Sequence, residues 1–505
     1  MSTIPITNNP TVHELWAGIG GHFDSLGQIV NEFIDNSISN FSANQLTQNV
    51  VIIGIKELSS NGDVEITIED SGTGIKKLDE AFTLGSLAAG ESPLNEHGFG
   101  MKHALASANP QNNSWAIYTR TEKDIENSNF KKIDAPYTFD NFYAELETSS
   151  AWPGRMNYSG TVIKFTVDRI LFKTIARGIK GGVSTFSTIV DILFEDLGFI
   201  YANIIKEGTA QILLIARSAD GTVVVNKPIG AVEPNWDSFF PPNQNSEQVS
   251  FSPITIDYSF GRMNEKPPRI NFDNTTTRKY YKKSMSSSGV EIRINGRLIR
   301  YNQFKEIWDI EKHNSYNYLL ITLNLKSNDK NALPQTRTSK NGFREGDETL
   351  DKIYEWIRKY LKEPVRDVSL SDHETDLFQL LKENLDTNLN TAGIPHVVET
   401  EMYVFKNSLE KRNWVRIDMY QVCNGKTTIY EGKKESSSSK DVYQLRMYWD
   451  GLVYDGITPT EGILVAKEHP DTVKELIQIV NSMRDASGNN YNLKPKAWSD
   501  LGIRV

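Results

Sequence analysis

The chain reads NEFIDN at Asn31–Asn36, ITIEDSGTGI at Ile66–Ile75 and NEHGFGMKHALASA at Asn95–Ala108, and these three stretches decide the fold of its first third. Around the first, apolar residues recur at helical spacing from Leu26 to Ile38, so Glu32 and Asn36, one turn apart, share a face. A carboxylate beside an amide suits magnesium-nucleotide hydrolysis: the amide oxygen is a hard ligand for Mg²⁺, and the carboxylate can orient and deprotonate water. In the second stretch an alternating strand ends at Asp70 and is followed by Gly72 and Gly74. Glycines there let the backbone approach a flat ligand while the carboxylate accepts a hydrogen bond from an exocyclic amine. In the third, Gly98 and Gly100 lead into a helix with Lys102 near its start, where free N–H groups and a lysine suit a phosphate chain. Taken singly, these are also an ordinary polar helix face, an Asp-Ser-Gly turn and a glycine-containing helix start.

Composition narrows the classes around these motifs. The 505 residues are 38% hydrophobic and 24% charged, which excludes disordered and fibrous chains. The longest apolar stretch, Val183–Ile205, is interrupted by Asp191, Glu195 and Asp196 and reads as a soluble helix. The start MSTIPITNNP lacks the layout of a signal peptide, and the single cysteine, Cys423, cannot form an internal disulfide. A cytoplasmic protein with no membrane partner is expected. The net charge of -9 argues against a surface coated with nucleic-acid-binding charge. A local basic path is still open to Arg278–Ser284, to Arg293–Arg300, and to Lys433, Lys434, Lys440 and Arg446, although each cluster equally reads as scattered solvated cations.

Hydrophobic periodicity and turn residues predict a multidomain α+β chain of three blocks, 1–172, 173–364 and 365–505. The first mixes amphipathic helix with strands such as Val64–Ile68 and Thr161–Val167. The second runs from a helical stretch at Phe186–Ile205 through several strands, one pair joined by an Asn-Gly turn, to a helix near Leu350–Leu361. Pro364 breaks that helix, and Ser371 with Glu374 forms a capping box that opens the third block. The third block alternates helix, hairpin, helix, strand and helix, an α/β pattern. Its low-complexity stretch Glu435–Asp441, ESSSSKD, is expected to be a mobile loop.

The order and spacing of the three opening motifs resemble the GHKL ATPases, the superfamily of gyrase B, MutL, the heat-shock chaperone ATPases and the MORC proteins. The resemblance covers roughly residues 12–170 and implies a Bergerat-type α/β sandwich that binds ATP and Mg²⁺. It makes Glu32 the general base, Asn36 the Mg²⁺ ligand and Asp70 the acceptor for the adenine amine. Gly72 and Gly74 would shape the base pocket, and Gly98, Gly100 and Lys102 would hold the phosphates. SGTVIKFTV (Ser159–Val167) looks like the family's closing strand, with Thr161 supporting adenine binding. The likeness is greatest to the MORC branch, through the Phe-x-x-Gly-Ser start of FTLGSLAAGESPLNEHGFGMKHAL (Phe82–Leu105). The second block is similar to the ribosomal S5-like transducer domain of that superfamily. There LPQTRTSKNGF (Leu333–Phe343) looks like the loop that returns a lysine to the γ-phosphate, with Lys340 the first candidate and Arg337 the second. Ser39 departs from the family, many of whose members carry Asp at that place.

A second set of motifs lies in the third block. VRIDMYQVCNGKTTIYEGKKE (Val415–Glu435) reads as a hairpin turning at Asn424–Gly425, with Asp418 on one strand and Glu431 and Lys433 sharing a face of the other. Two carboxylates beside a lysine suit phosphodiester hydrolysis: the acids hold Mg²⁺, which activates water and stabilises the developing charge, and the lysine orients the water. An exposed charged hairpin is the alternative. With Gln444 and Tyr448 on the following helix, the set resembles the PD-(D/E)XK nucleases and their restriction-endonuclease-like fold. Asp418 and Glu431 would then be metal ligands and Lys433 the catalytic lysine, with Glu374 or Glu383 as an upstream acid. His97 and His103 form no metal cluster. Together the resemblances imply an ATP-dependent DNA endonuclease, in which an ATP-driven homodimer gates a Mg²⁺-dependent nuclease in restriction or anti-phage defence, with room for a defence-system partner protein. The alternative is a MORC-like DNA clamp or compactor whose third domain is not catalytic.

Overall fold

Ser25 starts the first long helix by accepting the Gln28 N–H, and Gln45, at φ 51° in the left-handed region, ends it. Between them Leu26–Asn44 turns Leu26, Ile29, Val30, Phe33, Ile34, Ile38 and Phe41 into one core. Each such side chain contributes about 2 kcal/mol on burial. The computed structural model describes residues 11–60, 62–83, 100–138, 142–179, 185–238, 241–264, 277–337, 340–361, 364, 374–406 and 414–503. They form a multidomain α+β protein with three mixed sheets. None of the described helices is long and apolar enough to cross a membrane.

The first sheet has eight strands: β1 (Val50–Glu57), β2 (Val64–Asp70), β3 (Trp115–Arg120), β4 (Asn129–Asp134), β5 (Glu145–Thr148), β6 (Gly160–Val167), β7 (Gln211–Arg217) and β8 (Val223–Pro228). They run in the order β5-β4-β3-β6-β2-β1-β7-β8. Side chains two apart, such as Val51, Ile53 and Ile55, or Val64, Ile66 and Ile68, enter the core shared with Leu26–Asn44. Strands β7 and β8 come from the stretch read in sequence as the start of the second block. Here β7 lies parallel to β1, and the apolar face of the helix Phe186–Ile200 joins the same core.

The second sheet contains β9 (Asn243–Gln248), β10 (Thr255–Arg262), β11 (Gly289–Ile294), β12 (Arg297–Gln303) and β13 (Leu319–Lys326), ordered β12-β11-β13-β10-β9. Asn295 and Gly296 turn between β11 and β12 with φ of 45° and 86°, the geometry a two-residue hairpin loop requires. Helix Glu348–Tyr360 buries Ile353, Trp356 and Ile357, with Trp356 edge-on to Tyr258 of β10.

The third sheet is β14 (His396–Val404), β15 (Val415–Cys423), β16 (Lys426–Gly432), β17 (Glu461–Ala466) and β18 (Leu493–Ala497), in sequence order. The first three are antiparallel, and β16, β17 and β18 are parallel. Tyr430, Ile463 and Val465 pack with Leu377, Phe378 and Leu381 of the helix Glu374–Thr391. Ile429 and Leu464, on the other face, pack with the helices Ser439–Tyr454 and Asp471–Asn481. Two compact units result: Met1–Lys312 with Leu319–Glu363 holds the first two sheets, and Pro364–Val505 with His313–Tyr318 holds the third.

One expectation is corrected. The ESSSSKD stretch is pinned rather than mobile: Ser436 bridges to Glu468, and buried Ser437 shares a 2.8 Å hydrogen bond with His469 Nδ1. Ser438 then caps the next helix in a reciprocal pair with Asp441. Serines disfavour helix interiors but make good caps and turns, and low complexity hid that use.

Candidate active sites

In the first unit, β2 ends at Asp70 beside the helix that carries Glu32 and Asn36. Between them lies a cavity of about 400 Å³ lined by Asn36, Asn40, Asp70, Gly74, Gly100, Lys102 and Thr161, with Ile68, Ile163 and Met101 as apolar walls. That mixture of apolar wall and a few polar groups is the usual make-up of a small-molecule site. Asp70 is anchored from three sides. Its Oδ1 accepts the N–H groups of Gly72 at 2.8 Å and Thr161 at 3.3 Å, and its Oδ2 accepts the Ser37 hydroxyl at 3.3 Å. Burial pushes its carboxyl up to about 6 against those hydrogen bonds. Two glycines make the turn possible. Gly74 sits at φ 69° with the Arg120 carbonyl 2.4 Å from where a Cβ would stand, and a Cβ on Gly72 would meet Asn40 Oδ1 at 2.6 Å.

Sequence reading missed Asn40, which clamps this turn: its Oδ1 accepts the Thr73 N–H at 2.9 Å and its Nδ2 donates to Thr73 Oγ1 at 3.1 Å. It lies one helical turn beyond Asn36, and that periodicity was the available signal.

Glu32 is 4% exposed and lies against the cavity wall, since a Cβ on Gly100 would stand 1.7 Å from its Oε1. Burial raises its carboxyl above the ordinary value, and the Lys340 ammonium works the other way. Lys340 Nζ donates to both Glu32 oxygens, at 3.1 and 3.3 Å, and stands 3.6 Å from Asp35. Asp35, wholly buried, is bound in turn by Arg297 Nε at 3.1 and 3.3 Å and by the Tyr201 hydroxyl at 2.9 Å. Two carboxylates and two cations therefore share one buried cluster, as burial of charge demands.

The structure thus brings Glu32 and Lys340 together, and lines one cavity with Asn36, Asp70, Gly74, Gly100, Lys102 and Thr161. Lys102 donates to the carbonyls of Ala81 and Thr83 at 2.9 Å, and burial lowers its ammonium to about 8. Arg337 is bound to Glu345 and the Phe343 carbonyl instead of Glu32. His103 stacks on His22 at 4.3 Å. Gly98 and His97 lie outside the described residues.

In the second unit, Glu431 of β16 is fully buried. Its Oε1 accepts Lys433 Nζ at 2.8 Å, while its buried Oε2 has no hydrogen-bond donor. Asp418, on neighbouring β15, accepts the Gly432 N–H at 3.2 Å. Burial first, then the nearby Asp418 charge, raises the Glu431 carboxyl to about 8, with Lys433 opposing both. Gln444 donates to the Tyr448 hydroxyl at 2.7 Å; burial and the charges of Glu431 and Asp418 push that phenol above its ordinary value. Phe378 and Trp498 wall Gly432, leaving no room for a Cβ, and Trp498 Nε1 donates to the Lys433 carbonyl at 2.8 Å. An orphaned carboxylate oxygen beside a second carboxylate is a donor set that fits a hard divalent cation, and Mg²⁺ commonly takes only one or two protein carboxylates. Among the described residues no group of three or more His, Cys, Asp or Glu comes together for a metal. Glu383 is exposed and bound to Gln379, and the Glu374 side chain is outside the described set.

The basic clusters divide: Arg293 and Arg297 are buried, while Arg278, Lys279, Lys433, Lys434 and Arg446 are half-buried. Arg278 pairs with Asp191 and Lys279 with Asp196, while Arg293 is buried on the Phe199 and Ile200 carbonyls and Arg297 on Asp35. The acidic residues that interrupt Val183–Ile205 are the partners of two of them. Arg300, Lys282 and Lys440 are exposed.

No protein-family model matches the chain, and no curated protein does. Among solved structures it is similar to one described as the crystal structure of the N-terminal domain of a DNA repair protein, at 16% identity and a TM-score of 0.40, over 70% of this chain and 96% of that one. A likeness of that depth carries no argument about activity.

Proposed function

We propose that the protein is a GHKL-type ATP hydrolase, of the MORC-like branch, whose nucleotide cycle gates a Mg²⁺-dependent deoxyribonuclease of the PD-(D/E)XK type. One observation supports it above the rest: Glu32, buried at the wall of a cavity bordered by Asp70, receives a lysine from a loop 308 positions away in sequence. Of the roughly four lone pairs of its carboxylate, Asp70 uses three for the hydrogen bonds it accepts and keeps one on Oδ2, enough to take an exocyclic amine of adenine. Glu32 deprotonates the attacking water once Lys340 leaves its oxygens, and Lys340 then faces the terminal phosphate. Asn36 would hold Mg²⁺ in this site, and Asp418 with Glu431 would hold it in the other. The metal supplies charge neutralisation of the phosphates and a more acidic water. Lys433 orients the nucleophile on phosphodiester substrate. The proposal includes an ATP-dependent homodimer, DNA as substrate, and a cytoplasmic role in restriction or anti-phage defence with a partner protein.

The test is cleavage of supercoiled and linear plasmid in Mg²⁺, with and without ATP, by the wild type, Glu32→Ala and Glu431→Ala. ATP-dependent cutting lost in both variants is the expected result. Intact ATP turnover with no cutting of any DNA would favour a clamp or compactor whose third domain is not catalytic. Absence of turnover would end the hydrolase reading.

A further inference from the structure

One side chain ties the hydrolase site to the second sheet. Arg297 opens β12 just after the Asn295–Gly296 turn and is 4% exposed. Its Nε serves both Asp35 oxygens, and its Nη1 donates to the carbonyls of Leu298, at 2.7 Å, and Lys340. Lys340 itself stands at φ 49°, with its N–H on the Arg337 carbonyl at 2.8 Å. A lysine is held in that left-handed region only where its surroundings over-determine it. The Arg297 guanidinium supplies that constraint, and Asp35 and Leu298 fix the guanidinium plane. The Tyr201 hydroxyl closes the set, donating to Asp35 and 3.1 Å from the Asn31 carbonyl.

We propose that Arg297 is the positioning residue of this site: by gripping the Lys340 backbone while bound to Asp35, it makes the second sheet determine where the Lys340 ammonium stands relative to Glu32. The inference rests on the hydrolase reading and deepens it. A shift of the β11–β12 hairpin carries Arg297 with it, pulls on the Lys340 carbonyl, and so frees or blocks the Glu32 carboxylate without touching the cavity. The role needs several donors in one rigid plane. Lysine, with its point charge on a flexible stem, cannot serve Asp35 and a carbonyl together in the same way.

The experiment measures steady-state ATP hydrolysis and the affinity for a fluorescent ATP analogue on the full chain. The variants are Lys340→Met, Arg297→Lys and the pair Asp35→Asn/Arg297→Met, each of the last two also combined with Lys340→Met. The paired variant leaves no orphaned buried charge, so it avoids the penalty of removing Arg297 alone, and a thermal melt checks its folding. Arg297→Lys is the second route, because it keeps the charge. In both, kcat should fall about tenfold to a hundredfold, the cost of a misplaced catalytic group. Affinity should stay within about twofold, and adding Lys340→Met should cause no further loss, because all fail at one step. Wild-type kcat in Arg297→Lys, losses that multiply with Lys340→Met, or affinity falling in parallel with kcat would overturn the proposal. Undiminished hydrolysis in Glu32→Ala would instead remove the hydrolase reading beneath it.

Discussion

Glu32 and Glu431 are both buried carboxylates beside a lysine, yet their surroundings close in one case and stay open in the other. Lys340 takes both oxygens of Glu32, and the neighbouring Asp35 has Arg297, so the charges of the first cluster balance. Lys433 takes one oxygen of Glu431 and leaves the other without a donor, next to Asp418. A balanced cluster must be unlatched to act. An unbalanced one holds a proton or a cation.

The largest effect expected from breaking the first cluster is in Glu32→Ala, which should lower ATP turnover by about a thousandfold, within the range for losing a general base. ATP binding should persist, as measured by equilibrium dialysis; lost binding would make Glu32 structural. Asp70→Asn should weaken ATP binding by about 1.5–3 kcal/mol, the worth of a hydrogen bond to a charged group, and should reduce discrimination against GTP. Equal affinities for ATP and GTP in the wild type would contradict the role of Asp70.

The open cluster predicts smaller effects, read as stability. Mg²⁺ at about ten times its Kd should stabilise the second unit by about 1.4 kcal/mol in thermal melts of the wild type, and not at all in Glu431→Gln. The pH dependence has a definite sign. Glu431 has its folded value raised to about 8 from 4.5, so the folded protein holds more protons than the unfolded chain between those values. Its contribution to stability is full below about 4.5 and is lost as the pH rises through about 8. The metal-free protein should therefore lose stability over that interval, and Glu431→Gln should flatten the slope. An unchanged slope would mean that the Glu431 proton is not the one released.

Local features were legible in the sequence to the degree that their physics is local. The Asn295–Gly296 and Asn424–Gly425 turns announced their hairpins because few other pairs adopt positive φ twice. The helix around Glu32 showed in its apolar spacing, and the strand ending at Asp70 in its alternation. The partners of those residues did not show. Arg297 sat in a run that reads as basic surface, and only folding brings it to Asp35, 262 positions away. Lys102 looked free for phosphate, yet the carbonyls that hold it belong to a helix end whose position depends on the sheet. Nor does sequence spacing tell that one oxygen of Glu431 is left without a donor, since that depends on which groups folding packs around the buried carboxylate.

The parallel pairing of β1 with β7 also bears on how the chain is made. Val50 finds its partner Gln211 roughly 160 residues later, which at about 5–20 residues per second leaves the β1 edge bare for roughly ten to thirty seconds of synthesis. In that interval an apolar strand with unpaired N–H groups is exposed to other nascent chains. A fragment cut at residue 172 would keep that edge open permanently and would also lack Ile189, Val190, Leu193 and Leu197 from its core. An expression boundary that keeps the first sheet whole therefore belongs beyond Pro228.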